Sequence, residues 1–165
     1  MCITGANGGI LDIGIINSTR YTGSLTYIPM SFDRWYNVEL IDIQIGGHSI
    51  GLPPFLFTTT NDVIGTFVDS GTSLILMNPV SYEYFSNTFI QYYGSLPGVS
   101  KSGFFSSSTC VPKGTITNVG SYPTLTFVFQ GYNNQKISLP VPPASYLIPY
   151  ELFYCFGNLS HLEFV

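Results

Sequence analysis

Charge is what this chain has least of. Of its 165 residues, 5 are Lys or Arg and 9 are Asp or Glu, about 8% in all, for a net charge of -4. The basic residues form no cluster, so no electrostatic footprint for nucleic acid is present. So few basic groups also limit self-repulsion at low pH, which fits an acidic compartment. Long apolar runs are missing as well: none approaches the roughly 20 residues needed to cross a bilayer. The opening Met1-Cys2-Ile3-Thr4-Gly5 has neither a basic n-region nor an apolar h-region, which excludes a signal peptide at this end. A secretory protein would then have its true N-terminus outside this sequence. Cysteine is scarce: Cys2, Cys110 and Cys155 match no CxxC or zinc spacing, and an odd count leaves one sulfur without a partner in the chain. The two histidines, His48 and His161, form no ligand set with them and read as surface residues, so no metal is expected.

What is present is apolar and aromatic. Hydrophobic residues make up 45% of the chain and aromatics 16%, with 17 Gly and 11 Pro. That supplies a core for one domain or one lobe, built of strands and tight turns. Residues 8–14 read as a short strand between glycines. Residues 21–30 read as a second strand with a bend at Gly23. From Trp35 to Ile45 apolar and polar residues alternate, as in a half-buried strand, and Gly46-Gly47 turns the chain. Residues 64–77 resume strand character. Asn78 as cap, Pro79 at the first helical position, Phe85, Phe89 and Tyr92 at helical spacing, and Gly94 as stop predict one helix. A Ser-rich loop covers 100–109. Leu125, Phe127 and Phe129 alternate with Thr124, Thr126 and Val128 in a strand ending at Gly131. Residues 137–156, punctuated by proline, suit short edge strands. There is no internal repeat and no linker. The expected fold is mostly antiparallel β with one clear helix.

The chemistry-bearing segment is Phe67-Val68-Asp69-Ser70-Gly71-Thr72-Ser73-Leu74. Asp-Ser-Gly alone is ordinary turn vocabulary. Its flanks are not: Ile64, Phe67 and Val68 before it, and Leu74, Ile75 and Leu76 after it, would bury the turn between two apolar strands. Ser70 can hydrogen-bond the carboxylate and favour one ionisation state. Gly71 lets backbone approach closely, and Thr72 offers a hydroxyl to lock the loop. Ser70 and Ser73 lack a Gly-x-Ser-x-Gly elbow, which argues against a serine nucleophile. Asp12, Asp33, Asp42 and Asp62 lack the flanks of Asp69 and read as turn or solvent-facing residues.

This segment resembles the second active-site motif of the pepsin-like aspartic peptidases, hydrophobic-hydrophobic-Asp-Thr/Ser-Gly-Thr-Ser. The resemblance extends along the chain in the family's order. Residues 9–14 are similar to the strand that opens its C-terminal lobe. Tyr21-Thr22-Gly23-Ser24-Leu25 with Pro29, and Trp35-Tyr36-Asn37-Val38-Glu39-Leu40 with Ile43 and Gly46, are similar to the segments that follow. The fold class implied is a mostly β lobe of a bilobal acid protease with one or two short helices. Residues 1–165 are expected to form the C-terminal lobe; the family's N-terminal lobe, with its Asp-Thr-Gly loop and flap tyrosine, and the last bracing strands are not in this sequence.

The resemblance implies roles. Asp69 is one of two catalytic aspartates; Ser70, Gly71, Thr72 and Ser73 contact substrate or brace the loop; Cys110 and Cys155 form a disulfide. Cys2 is then free or bonded to the other lobe. Phe67 and Trp35 either line the cleft or pack in the core, the latter being favoured. The implied reaction is hydrolysis of polypeptides by two aspartates sharing a proton and one water, with no cofactor. A non-catalytic binding or inhibitor protein on the same scaffold is the alternative, and a homodimeric peptidase a third. Implied partners are a polypeptide substrate and the missing lobe, with no nucleic acid and no membrane span. Sequons at Asn17 and Asn158 and the paired cysteines point to the secretory pathway, in a lysosome or vacuole or outside the cell.

Overall fold

The computed structural model describes residues 2–4, 8–10, 12–32, 35–60, 64–72 and 74–159. The readings at Asp33, Asp62, Ser73 and His161 lie outside the described residues.

Strands are short and mostly antiparallel, as expected. In chain order they are β1 (Cys2–Thr4), β2 (Gly8–Ile10), β3 (Met30–Phe32), β4 (Asn37–Val38), β5 (Leu40–Ile45), β6 (His48–Ser49) and β7 (Ile75–Leu76). Helix α1 (Pro79–Tyr93) follows, then β8 (Cys110–Pro112), β9 (Leu125–Gln130), β10 (Lys136–Val141), the single-turn α2 (Pro143–Tyr146), β11 (Leu147–Tyr150), β12 (Phe153–Phe156) and β13 (Asn158–Leu159). The largest sheet runs β10-β9-β5-β6 and a second runs β11-β12-β8. Among the described residues, three two-stranded pairs complete the set: β1-β2, β3-β4 and the parallel β13-β7.

The helix forms for the local reasons its sequence gives. The Asn78 Oδ1 accepts the Ser81 N–H at 2.9 Å, and Pro79 occupies the first turn where no amide is needed. Phe85 and Phe89 are wholly buried. Tyr92 is exposed, which corrects the expected face: Tyr93, four residues after Phe89, packs on the core instead. Gly94 ends the helix in right-handed rather than left-handed geometry, its N–H bonded to the Ile90 carbonyl at 2.9 Å. The β5–β6 hairpin is also legible: Gly46 and Gly47 both take positive φ, as a two-residue turn with the right-handed strand twist requires.

The core lies between α1 and the sheets. Phe85, Phe89, Phe105, Tyr146 and Phe156 pack ring to ring, with Phe89–Phe156 centroids 5.6 Å apart. Leu40, Ile43, Ile45 and Leu125 close it from the main sheet. Phe104 and Phe105 sink the Ser-rich loop into this core, so that loop is anchored rather than free. Cys110 and Cys155 sit opposite one another in the β8–β12 ladder and form the expected disulfide.

Several strand readings are corrected. Residues 21–29 form no strand; a 3-10 turn at Ser18–Arg20 precedes them and only β3 follows. Between Trp35 and Ile45 the ladder breaks at Glu39. Residues 64–77 are largely irregular, with one isolated bridge at Phe67 and then β7. Strand geometry persists only where a neighbour satisfies the backbone, and among the described residues that pairing is confined to Thr66–Val68 before the turn and to β7 after it. In β9 the alternation does not run cleanly: Val128 is buried and Phe127 only half-buried. Strand β12 is likewise central, while the proline-bearing β10 and β11 are edges.

Candidate active site

Asp69 stands two residues beyond the point where the chain last pairs. Phe67 bridges Asn37; the Val38 N–H donates to the Thr66 carbonyl at 3.0 Å, and the Val68 N–H to the Tyr36 carbonyl at 3.1 Å. After Val68 the chain turns. The Thr72 N–H reaches the Asp69 carbonyl at 3.4 Å, a long contact that closes the bend. The carboxylate folds back on its own turn: Oδ1 accepts the Gly71 N–H at 2.8 Å and Oδ2 accepts the Thr72 hydroxyl at 2.5 Å. This is an Asx-type turn capped by a threonine.

The two bonds have an electrostatic consequence. The Thr72 hydroxyl first, and the Gly71 amide second, hold the Asp69 carboxyl below its ordinary value, against a slight opposing effect of desolvation. No second charged group is among these influences. Gly71 matters for space as well as for its amide: a Cβ there would lie 3.2 Å from the Asp69 Oδ1, crowding the bonded carboxylate.

Two expectations for the loop change. The hydroxyl on the carboxylate belongs to Thr72, not Ser70. In an Asx turn the groups that return to the side chain lie two and three residues ahead, and Ser70, one ahead, is exposed and makes no such bond. Nor is the turn buried between apolar strands. Asp69, Ser70, Gly71 and Thr72 are all exposed, and Val68 is 60% exposed. Trp35 and Tyr36, across the bridge, are 51% and 75% exposed, so Trp35 is not a core residue, while Phe67 is half-buried. Asp69 thus follows directly on an open apolar edge formed by Val68 and, across the bridge, Trp35 and Tyr36.

Other candidates fall elsewhere. Asp12 pairs with Arg20 at 3.0 Å. Asp42, read as turn or solvent-facing, lies half-buried on β5 and accepts from Gln44 and Ser49. His48 is exposed as expected, yet its ring stacks on Tyr92 at 3.7 Å. A concavity of about 610 Å³ along α1, lined by Ser49, Tyr84, Asn87 and Gln91 among others, shares no residue with the Asp69 loop. Among the described residues, no helix is long and apolar enough to cross a membrane. Asn37 is the residue whose importance the sequence did not signal: it is wholly buried and its side chain bonds the segment leading to Asp69.

Comparison with known proteins gives this geometry its context. The family model described as "Eukaryotic aspartyl protease" matches residues 2–160. Gastricsin of Mus musculus is 32% identical over 147 residues, covering 89% of this chain and 31% of that protein. Pepsin A of Bos taurus is 28% identical over 142 residues, covering 86% and 31%. Cathepsin D of Dictyostelium discoideum is 42% identical over 71 residues, covering 43% and 17%. The chain therefore belongs to the eukaryotic aspartyl protease family, and it spans about a third or less of the length of these relatives.

Proposed function

We propose that this chain is the C-terminal lobe of an aspartic endopeptidase and that Asp69 is one of its two catalytic carboxylates. The observation that carries the reading is the Asp69 turn itself: an exposed carboxylate fixed by the Gly71 amide and the Thr72 hydroxyl, in a member of a peptidase family. Two carboxylates facing one water divide the work of hydrolysis. One, ionised, takes a proton from the water; the other, protonated, donates to the scissile carbonyl oxygen. The second carboxylate comes from a partner lobe that covers the apolar edge of Trp35, Tyr36 and Val68. Ser70, Gly71, Thr72 and Ser73 would meet the backbone of a polypeptide substrate or brace the turn. The Cys110–Cys155 disulfide supports an oxidising compartment, hence the secretory pathway and a lysosomal, vacuolar or extracellular destination. Asn17 and Asn158 are the candidate glycan acceptors.

The test is Asp69→Asn in the full-length protein. The amide keeps the shape and removes the proton chemistry, so digestion of a denatured protein at acidic pH should fall by roughly three orders of magnitude or more, the scale of losing a catalytic group. A rate near that of the unaltered protein would show that Asp69 is not catalytic.

A further inference from the structure

We propose that Asn37 is the positioning residue of the Asp69 loop, its buried carboxamide fixing where the carboxylate is presented. The inference rests on Asp69 acting catalytically, as proposed above. The starting observation is how little apolar packing holds the approach to Asp69. Ile64 and Val68 are exposed and Phe67 is half-buried. The ladder there is one isolated bridge with two backbone hydrogen bonds.

What ties this segment down is polar. The Asn37 Nδ2 donates to the Ile64 carbonyl at 2.7 Å and to the Thr59 Oγ1 at 3.1 Å, with a longer contact of 3.4 Å to the Thr66 carbonyl. Its Oδ1 accepts the Trp35 N–H at 3.2 Å. The Thr59 hydroxyl donates to the same Ile64 carbonyl at 2.8 Å, and the Thr66 N–H donates to the Phe57 carbonyl at 3.1 Å. One side chain, 0% exposed, thus joins three stretches of backbone around Trp35, Thr59 and Ile64–Thr66. The join has no slack. Gly65 takes φ +66, and a Cβ there would lie 2.5 Å from the Thr59 nitrogen. Asp69 follows Phe67, the bridge partner of Asn37, by two residues, so a shift at the knot is passed to the carboxylate. A buried amide that gives and accepts at once cannot be replaced by an isostere that does only one.

Asn37→Leu and Asn37→Asp in the full-length protein test this, read by amide hydrogen exchange and by steady-state kinetics. Val68 and Gly71 are the reporter amides: the first is bonded across the bridge to the Tyr36 carbonyl, the second within the loop to the Asp69 carboxylate. In Asn37→Leu their exchange should quicken about tenfold or more while amides of α1 stay unchanged. On the catalytic reading kcat should fall about a hundredfold, the scale of a displacement near 1 Å, with KM moved less than about threefold. Asn37→Asp separates positioning from packing. Its carboxyl can donate to Ile64 only when protonated, and its single O–H leaves the Thr59 bond unmade, so loop exchange should lie nearer the unaltered protein than Asn37→Leu at acidic pH and reach that of Asn37→Leu once the carboxyl ionises. Should Asn37→Leu fail to fold, Thr59→Val and the pH series of Asn37→Asp take its place. Unchanged exchange at Val68 and Gly71, or an acceleration shared equally by α1, overturns the proposal. An unaltered protein without peptidase activity would overturn the catalytic reading alone, leaving the exchange data to decide the role of Asn37.

Discussion

Removing the Cys110–Cys155 bridge should lower stability without changing the folded arrangement. The two cysteines are directly opposed in the β8–β12 ladder, next to the pairs Tyr154↔Val111 and Phe153↔Pro112. Those neighbours hold the two strands together whether or not the sulfurs are bonded. The bridge therefore acts mainly on the unfolded chain, where it closes a loop of 45 residues containing β9, β10, α2 and β11. On the chain-entropy account that closure is worth about 4 kcal/mol at 25 °C. For a chain of this size the double variant Cys110→Ala/Cys155→Ala should then melt roughly 8–16 °C lower. Circular dichroism against temperature reads the shift, and the far-ultraviolet spectrum at low temperature should stay the same. Peptide mapping without reductant checks the pairing in the unaltered chain. A melting point lowered by less than about 3 °C, or Cys2 as the dominant partner of either cysteine, would refute the reasoning.

Thr72→Val removes the larger of the two bonds that favour ionised Asp69, so its titration moves up in pH; carboxyl carbon NMR of the isolated chain would follow it. The sign is fixed by a folded-state carboxyl held low: its stabilising effect is present above the unfolded-state titration and lost as pH falls through the folded one, so Thr72→Val narrows that acid window. Phe89→Ala should cost about 3–5 kcal/mol in denaturant unfolding, because Phe89 is wholly buried against Phe85, Phe105, Tyr146 and Phe156. Residues 1–165 expressed alone should not cleave peptides at any acidic pH; cleavage that a statine-type mimic blocks and Asp69→Ala abolishes would favour the homodimer instead.

How much was legible depended on whether a feature is settled locally. Asn78, Pro79, Phe85, Phe89 and Gly94 carry the α1 signal within a few residues, and the structure follows them. The Gly46-Gly47 hairpin and β9 are similar cases. Residues 64–77 were misread because two apolar runs look like strands in isolation. A strand needs a partner from elsewhere in the chain, and here the partner is one bridging residue of β4, Asn37, on one side and two residues of β13 on the other. Asp69 was visible through the motif around it. Which hydroxyl reaches its carboxylate was not, since that follows from the turn rather than from residue type. Asn37 was invisible for the same reason: asparagine in a sequence gives no sign of which carbonyls will surround it.

Of the three influences that set a carboxylate's titration, one dominates the site as this chain presents it. Hydrogen bonding to the ionised form is present, through Gly71 and Thr72, and it lowers the pKa. Desolvation is slight because the loop is exposed, and among the described residues no like charge acts on Asp69. Acid–base hydrolysis by a carboxyl pair needs both of the other influences, because only they keep a proton on one member at working pH. Water beside an open carboxylate screens any charge brought near it, so a second aspartate would act strongly only if its arrival also excluded solvent. The apolar edge of Trp35, Tyr36 and Val68 next to Asp69 is suited to that exclusion. On the proposed reading, covering the edge and delivering the second carboxylate are one event. A charge placed on that edge, as in Tyr36→Lys, should disturb catalysis by weakening the cover, though Tyr36 itself carries no chemistry.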